Sequence, residues 1–176
     1  MRCIFGANFF KHCLHIPGGI FFVDFLKACG SDFEEAVRRS TQSGIEIALR
    51  TIARKDAANG FDDPIYYYVF NPEIPGWDNA GTFHSCDLWF FFETLAKCWR
   101  PFVGKHYDLA RNMCNYWANF MRTGDPNGKD ADGSEMPLWK PFKDAEPNAM
   151  WFNTVPEGIL DTPSDVMKTL VNRAAE

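Results

Sequence analysis

The hydrophobic positions of this chain change period several times, and each change marks an element. Residues 1–30 show no clean period and form a poorly defined segment ending in "KACGSDFE". Ser31 and Glu34 stand at capping-box spacing, which predicts a helix from about Asp32. That helix pauses at Gln42–Gly44, resumes with Ile45, Ala48, Leu49 and Ile52 on one face, and stops at Asn59 and Gly60. "IYYYVF", Ile65 to Phe70, is β-branched or aromatic without a polar break, the mark of a strand buried on both faces. The loop "NPEIPGWDNAGTF" then delivers His84.

Beyond His84, Leu88, Phe91, Phe92 and Leu95 fall at i, i+3, i+4 and i+7, an amphipathic helix that Ser85 can cap. A second helix spans about Lys105 to Thr123, with Leu109, Met113, Trp117 and Phe120 inward and Gly124 just past its end. "DPNGKDADGSEMP" is a polar loop, Asn148 to Asn153 a short strand, and a final helix starts near Ser164. Helix, buried strand, His loop, two helices, short strand and final helix make an α/β class. No repeat, low-complexity stretch or long linker interrupts it, so residues 31–176 read as one segment following 1–30.

Composition narrows the partners. At 176 residues and 46% hydrophobic content the chain can build a sizeable core. Its net charge is -5 and its Lys and Arg form no basic stripe, so nucleic acid is not an expected partner. The aromatic load of 16% must be buried in a core, a pocket or a partner. The 6 cysteines form no CxxC pair, so neither a zinc ribbon nor a thioredoxin-type site is indicated, and disulfides and free buried thiols both stay open. At the N-terminus Arg2 precedes an apolar stretch, but Lys11, His12 and His15 break it and no small-residue cleavage site follows. No run reaches the roughly 18 to 20 apolar residues of a membrane span. A soluble, cytoplasmic protein is the expectation.

His84 is the candidate for chemistry. It follows a buried strand and precedes a helix, the place where ligands and catalytic groups collect in open α/β sheets. The simpler reading of position alone is that His84 and Ser85 begin the helix, with Asp87 near its positive end. Zinc needs three or four ligands, and Cys86 and Asp87 are too close in sequence to wrap an ion with His84. "KHCLH", Lys11 to His15, lacks a distant second pair, so no metal site is expected there either.

Four stretches carry a resemblance that shifts this balance. "YYYVFNPEIPGWDNAGTFHSCDLWFFFETL", "WRPF", "NYWANFMRTGDPNG" and "PLWKPF" occur in this order within about Ser31 to Asn153. Together they resemble the C-terminal part of the type B carboxylesterases, serine hydrolases of the α/β-hydrolase fold that include cholinesterases and bacterial para-nitrobenzyl esterases. The resemblance implies that His84 is the triad histidine, the general base between a nucleophilic serine and a carboxylate. It implies a small-molecule carboxylic ester as substrate and no cofactor. Trp89 and Phe90 lie on the opposite side of the helix from Leu88 and Phe91. They are weak candidates for the border of an acyl pocket, packing being the simpler role.

The rest of the machinery is not in these residues. No G-x-S-x-G elbow exists, since Ser31, Ser40, Ser43, Ser85, Ser134 and Ser164 all lack its flanking glycines. "PGG" at Pro17 to Gly19 is too slight for an oxyanion segment, and Asp24, Glu34 and Glu35 lack the setting of the triad acid. The expectation is a C-terminal portion with one catalytic residue of three, inert alone, the others lying ahead of Met1. The alternative is a non-catalytic interaction module pairing with a companion chain or itself. A third reading is a stand-alone hydrolase using a Ser or a Cys such as Cys86 or Cys114.

Overall fold

The computed structural model describes residues 26–27, 29–34 and 44–175. They divide into two units, one over 64–142 and 146–161, the other over 26–27, 29–34, 44–63, 143–145 and 162–175. In chain order the elements are α1 (Gly44–Asn59), β1 (Tyr68–Phe70), α2 (Leu88–Phe91), a 3-10 turn (Leu95–Lys97), α3 (Gly104–Thr123), β2 (Asn148–Phe152), β3 (Pro156–Leu160) and α4 (Asp165–Ala175). None of the described helices is long and apolar enough to cross a membrane.

The first unit is built on β2. It pairs in parallel with β1, Tyr68 opposite Met150 and Phe70 opposite Phe152, and antiparallel with β3, Asn148 opposite Leu160. Phe70, Met150 and Phe152 are fully buried, and α2 and α3 bring Phe90, Phe91, Leu109, Met113 and Tyr116 into the same core. Its hub is Trp139, whose ring meets Tyr68 (6.2 Å), Tyr116 (5.5 Å) and Phe152 (5.5 Å) edge-on. Its indole N–H donates to the Tyr67 carbonyl at 3.1 Å. Asn127 clamps its backbone from both sides, accepting the Trp139 N–H at 2.7 Å and donating to the Trp139 carbonyl at 2.9 Å. The polar loop is thus a fixed part of the core.

Several expectations change in extent. The strand Ile65 to Phe70 narrows to Tyr68–Phe70, with Ile65 making an isolated bridge to Phe142. Only Phe70 of these six is fully buried, the others half-buried, so the strand is not covered on both faces as the apolar run suggested. In α3 the inner stripe is Leu109, Met113 and Tyr116, while Trp117 and Phe120 are partly exposed, at 39% and 46%. Gly124 ends α3 at φ 77°, its N–H donating to the Phe120 carbonyl. At the other end the Val103 N–H donates to His106 Nδ1 at 3.0 Å. β3 escaped the sequence reading because Pro156 and Gly158 lower strand propensity and most of it is exposed.

In the second unit α1 packs on α4, around a small cluster of Cys29, Val166 and Leu170 with Leu26 and Ile47 against it. α1 therefore turns Ile47, Arg50 and Ala53 inward, and the predicted face fails: Ile45 and Ile52 are exposed. Ser31 sits in a left-handed turn (φ 61°) rather than the extended backbone an N-cap needs, and Phe33 begins the helical residues. The predicted continuation over 35–43 lies outside the described residues. Ser164 caps α4 by accepting the Met167 N–H at 3.2 Å.

Asp130 is the most heavily bonded carboxylate of the first unit. It accepts from Arg111, from Asn112 Nδ2 (2.7 Å), from Asn115 Nδ2 (2.6 Å) and from the Ala131 N–H (2.7 Å), pinning the polar loop to α3. Burial alone would raise its carboxyl, but these donors outweigh it and hold the group below its ordinary value. A depressed native value means stability that is complete above the unfolded carboxyl range, about pH 4, and lost as pH falls through the native value. Asp130→Asn should therefore cost roughly 2–3 kcal/mol near pH 6, and that deficit should shrink on acidification in urea unfolding. A deficit independent of pH would contradict this reading.

Candidate active site

The parallel ladder runs one residue past β1, the Asn71 N–H donating to the Phe152 carbonyl at 2.9 Å, and the loop to His84 begins there. Arg100 braces this loop. It donates to the Pro75 carbonyl (3.0 Å) and, through both terminal nitrogens, to Asp78 at 2.9 and 2.7 Å. Those bonds hold the Asp78 carboxyl below the usual carboxylate range. The bracket closes over Gly76, where a Cβ would lie 2.5 Å from both Arg100 Nη1 and Asp78 Oδ1.

His84 opens a tight turn on the surface. The Cys86 N–H donates to the Phe83 carbonyl at 3.2 Å, the Phe83 N–H to Cys86 Sγ at 3.3 Å, and the Leu88 N–H to the Ser85 carbonyl at 3.2 Å. Ser85 sits at φ 67°, a conformation that costs a non-glycine residue about 1–2 kcal/mol and persists only where the surroundings enforce it. Cys86 and Asp87 supply that enforcement. Both are buried, two and three residues after the exposed His84. Tyr68 of β1 donates its phenol to Asp87 Oδ2 at 2.9 Å, while Asp87 Oδ1 is buried with no hydrogen-bond partner. Through Tyr68 the histidine turn is tied to the Trp139 hub.

The helix that follows is shorter than its pattern. Asp87, not Ser85, is the N-cap, and α2 ends after Phe91 with Glu93 left-handed at φ 48°. The Thr94 N–H donates to the Trp89 carbonyl and the Glu93 N–H to the Phe90 carbonyl, a Schellman closure with glutamate in the usual glycine position. Leu88 and Phe92 are consequently exposed, and Phe90, Phe91 and Leu95 are buried. Phe90 packs against Phe70 (5.0 Å) and Phe102 (5.7 Å) with no exposed surface. Trp89 is half-buried, meeting Phe83 at 5.6 Å and Phe102 at 6.1 Å.

Other candidates take structural roles or fall away. His106 is buried, its Nε2 3.2 Å from the Glu73 carbonyl. Burial pushes the Cys86 and Cys114 thiols up, the wrong direction for a nucleophile, which needs a lowered value. His12 and His15 lie outside the described residues, and no group of three metal-binding side chains converges among the described ones. The sequence reading missed Tyr68, Arg100 and Asp78 as supports of the loop; an aromatic run with an Arg and an Asp flanking a His-bearing loop was the only signal.

A model of the carboxylesterase family matches residues 30–169. The chain belongs to the carboxylesterase family. Carboxylesterase 5A of Felis catus is 50% identical to this family member over 95 residues, 47% of the chain and 16% of the cat protein. Acetylcholinesterase of Gallus gallus is 30% identical over 99 residues, 53% of the chain and 12% of the chicken enzyme. The chain thus spans only a small part of these relatives. Among solved structures, an esterase from Clostridium hathewayi superposes with a TM-score of 0.56 at 22% identity over 90% of this chain and 30% of its own. A carboxylesterase from Geobacillus stearothermophilus gives 0.52 at 24% identity, over 93% and 30%. The fold is accordingly a partial region of the α/β-hydrolase fold, and the turn described above is one of its loops.

Tyr68→Phe would leave the buried Asp87 carboxylate with no donor among those identified. The substitution should lower stability by about 1–3 kcal/mol and cost much less in an Asp87→Ala background, as a double-mutant cycle in urea would measure. Equal costs in both backgrounds would show that the pair does not support the turn.

Proposed function

We propose that this chain contributes the general base of a carboxylic ester hydrolase. His84 takes the proton from a nucleophilic serine as an acyl-enzyme forms and returns it to the leaving alcohol. The serine, its oxyanion donors and the acid that orients His84 come from sequence outside these 176 residues, so the chain alone is inert. The observation that carries the reading is the contrast in one turn: His84 is exposed while Cys86 and Asp87 are buried, and Asp87 accepts the phenol of Tyr68 from β1. A histidine serving only to begin a helix would need no such foundation, and the helix here starts at Leu88.

The Ser85 conformation adds support, because strained backbone persists where a side chain must be aimed. The raised thiols weigh against a nucleophile drawn from Cys86 or Cys114. Small-molecule carboxylic esters are the substrate class, consistent with membership of the family.

A chimera tests the role of His84. These residues would replace the matching 30% of the Geobacillus stearothermophilus carboxylesterase, and p-nitrophenyl acetate turnover would be measured with and without His84→Gln. The substitution should lower kcat by at least about 1,000-fold with little change in KM. An active chimera indifferent to His84→Gln would overturn the proposal.

A further inference from the structure

One guanidinium fastens the backbone that leads into His84 at three separate places. Arg100 Nη1 donates to the Pro75 carbonyl at 3.0 Å, and its two terminal nitrogens grip Asp78 at 2.9 and 2.7 Å. Its carbon also lies 5.2 Å from the ring centroid of Phe83, the residue before His84. The points held are the start, the middle and the end of one loop. Arg100 is only 8% exposed, so the grip is made within this chain and is shielded from water, as a surface ion pair is not. A two-pronged arginine–carboxylate pair fixes orientation as well as distance, because both partners are planar.

Phe83 is where that grip reaches the histidine. Its N–H donates to Cys86 Sγ at 3.3 Å, its carbonyl accepts the Cys86 N–H at 3.2 Å, and its ring meets Trp89 edge-on at 5.6 Å. These contacts tie Phe83 to the turn and helix that follow it. The contact with Arg100 ties it back to Pro75 and Asp78, and so gives the ion pair a route to the histidine. Gly76 shows how tightly the bracket closes. A Cβ there would lie 2.5 Å from both Arg100 Nη1 and Asp78 Oδ1, so any side chain at that position would wedge the pair apart.

We infer that Arg100 is a positioning residue for His84, acting through the ring of Phe83. This rests on the general-base reading of His84. Arg100 touches neither substrate nor the transferred proton. It narrows the directions that the imidazole can take, and a displacement of about 1 Å at a reacting group costs a factor on the order of 100 in rate. Asp78 neutralises the guanidinium, so the bracket restrains the loop without setting a bare cation beside an imidazole that must become positive.

Nitrogen-15 relaxation of the whole 176-residue chain tests the restraint without turnover. On Arg100→Ala the order parameters of the amides from Thr82 to Ser85 should fall while those of α3 hold. Millimolar guanidinium chloride should restore them; urea, similar in shape but uncharged, should not. In an active chimera with the Geobacillus stearothermophilus carboxylesterase, Arg100→Ala should lower kcat about 10- to 100-fold and change KM less than about twofold. Guanidinium should return most of that kcat. Gly76→Ala keeps both charges but wedges them apart; it should give the same loss of order and of kcat, and it serves as the test if Arg100→Ala does not fold. Unchanged order parameters, a loss carried by KM, or a kcat loss that neither guanidinium restores nor Gly76→Ala reproduces would overturn the inference and leave Arg100 a stabilising pair only. If His84→Gln abolishes turnover while Arg100→Ala leaves kcat unchanged, the positioning role fails and the general base stands. A chimera indifferent to His84→Gln would refute the general base and the positioning role together, with the ordering of the loop by Arg100 still read from relaxation.

Discussion

Trp139 is the side chain on which the first unit depends. Its indole reaches β1 through the Tyr67 carbonyl, its backbone is clamped by Asn127 from the polar loop, and its ring touches Tyr116 of α3 and Phe152 of β2. Strand, loop and helix thus converge on a single 4%-exposed residue. The same ring contacts Tyr68, whose phenol holds Asp87 under the histidine turn. Removing it would open a cavity in the core and loosen the support of His84 together, because one side chain serves both.

On the proposal that His84 is the general base, that coupling gives an exposed side chain a fixed foundation. The three residues after His84 are a left-handed Ser85, a fully buried Cys86 and an Asp87 bonded to the sheet. The Arg100 bracket restrains the other side of the loop. If His84 is the proposed general base, rigid elements on both flanks serve it, since small misplacements cost large factors in rate.

Legibility in the sequence followed locality. The long helix α3 with its Gly124 end, the strand β2 and the Ser164 cap of α4 are written in short stretches of spacing and capping chemistry, and those stretches suffice. The buried face of α1 is not, because Cys29, Val166 and Leu170 decide it from far along the chain. The helix after His84 was over-extended because leucine and phenylalanine spacing hid its stop: Glu93 takes the left-handed position that glycine would have announced. His84 itself was legible as a candidate from its loop and from the family resemblance. Its foundation was not, because a Tyr68–Asp87 bond across 19 residues leaves no spacing signal.

The proposed chemistry of ester cleavage is divided between a histidine in this chain and a nucleophile outside it. The most direct measurement is p-nitrophenyl acetate hydrolysis by the purified, folded 176-residue chain beside its His84→Ala variant. Background rates from both proteins are predicted. Turnover by the chain that disappears with His84→Ala would mean that these residues assemble their own nucleophile, and would contradict the division.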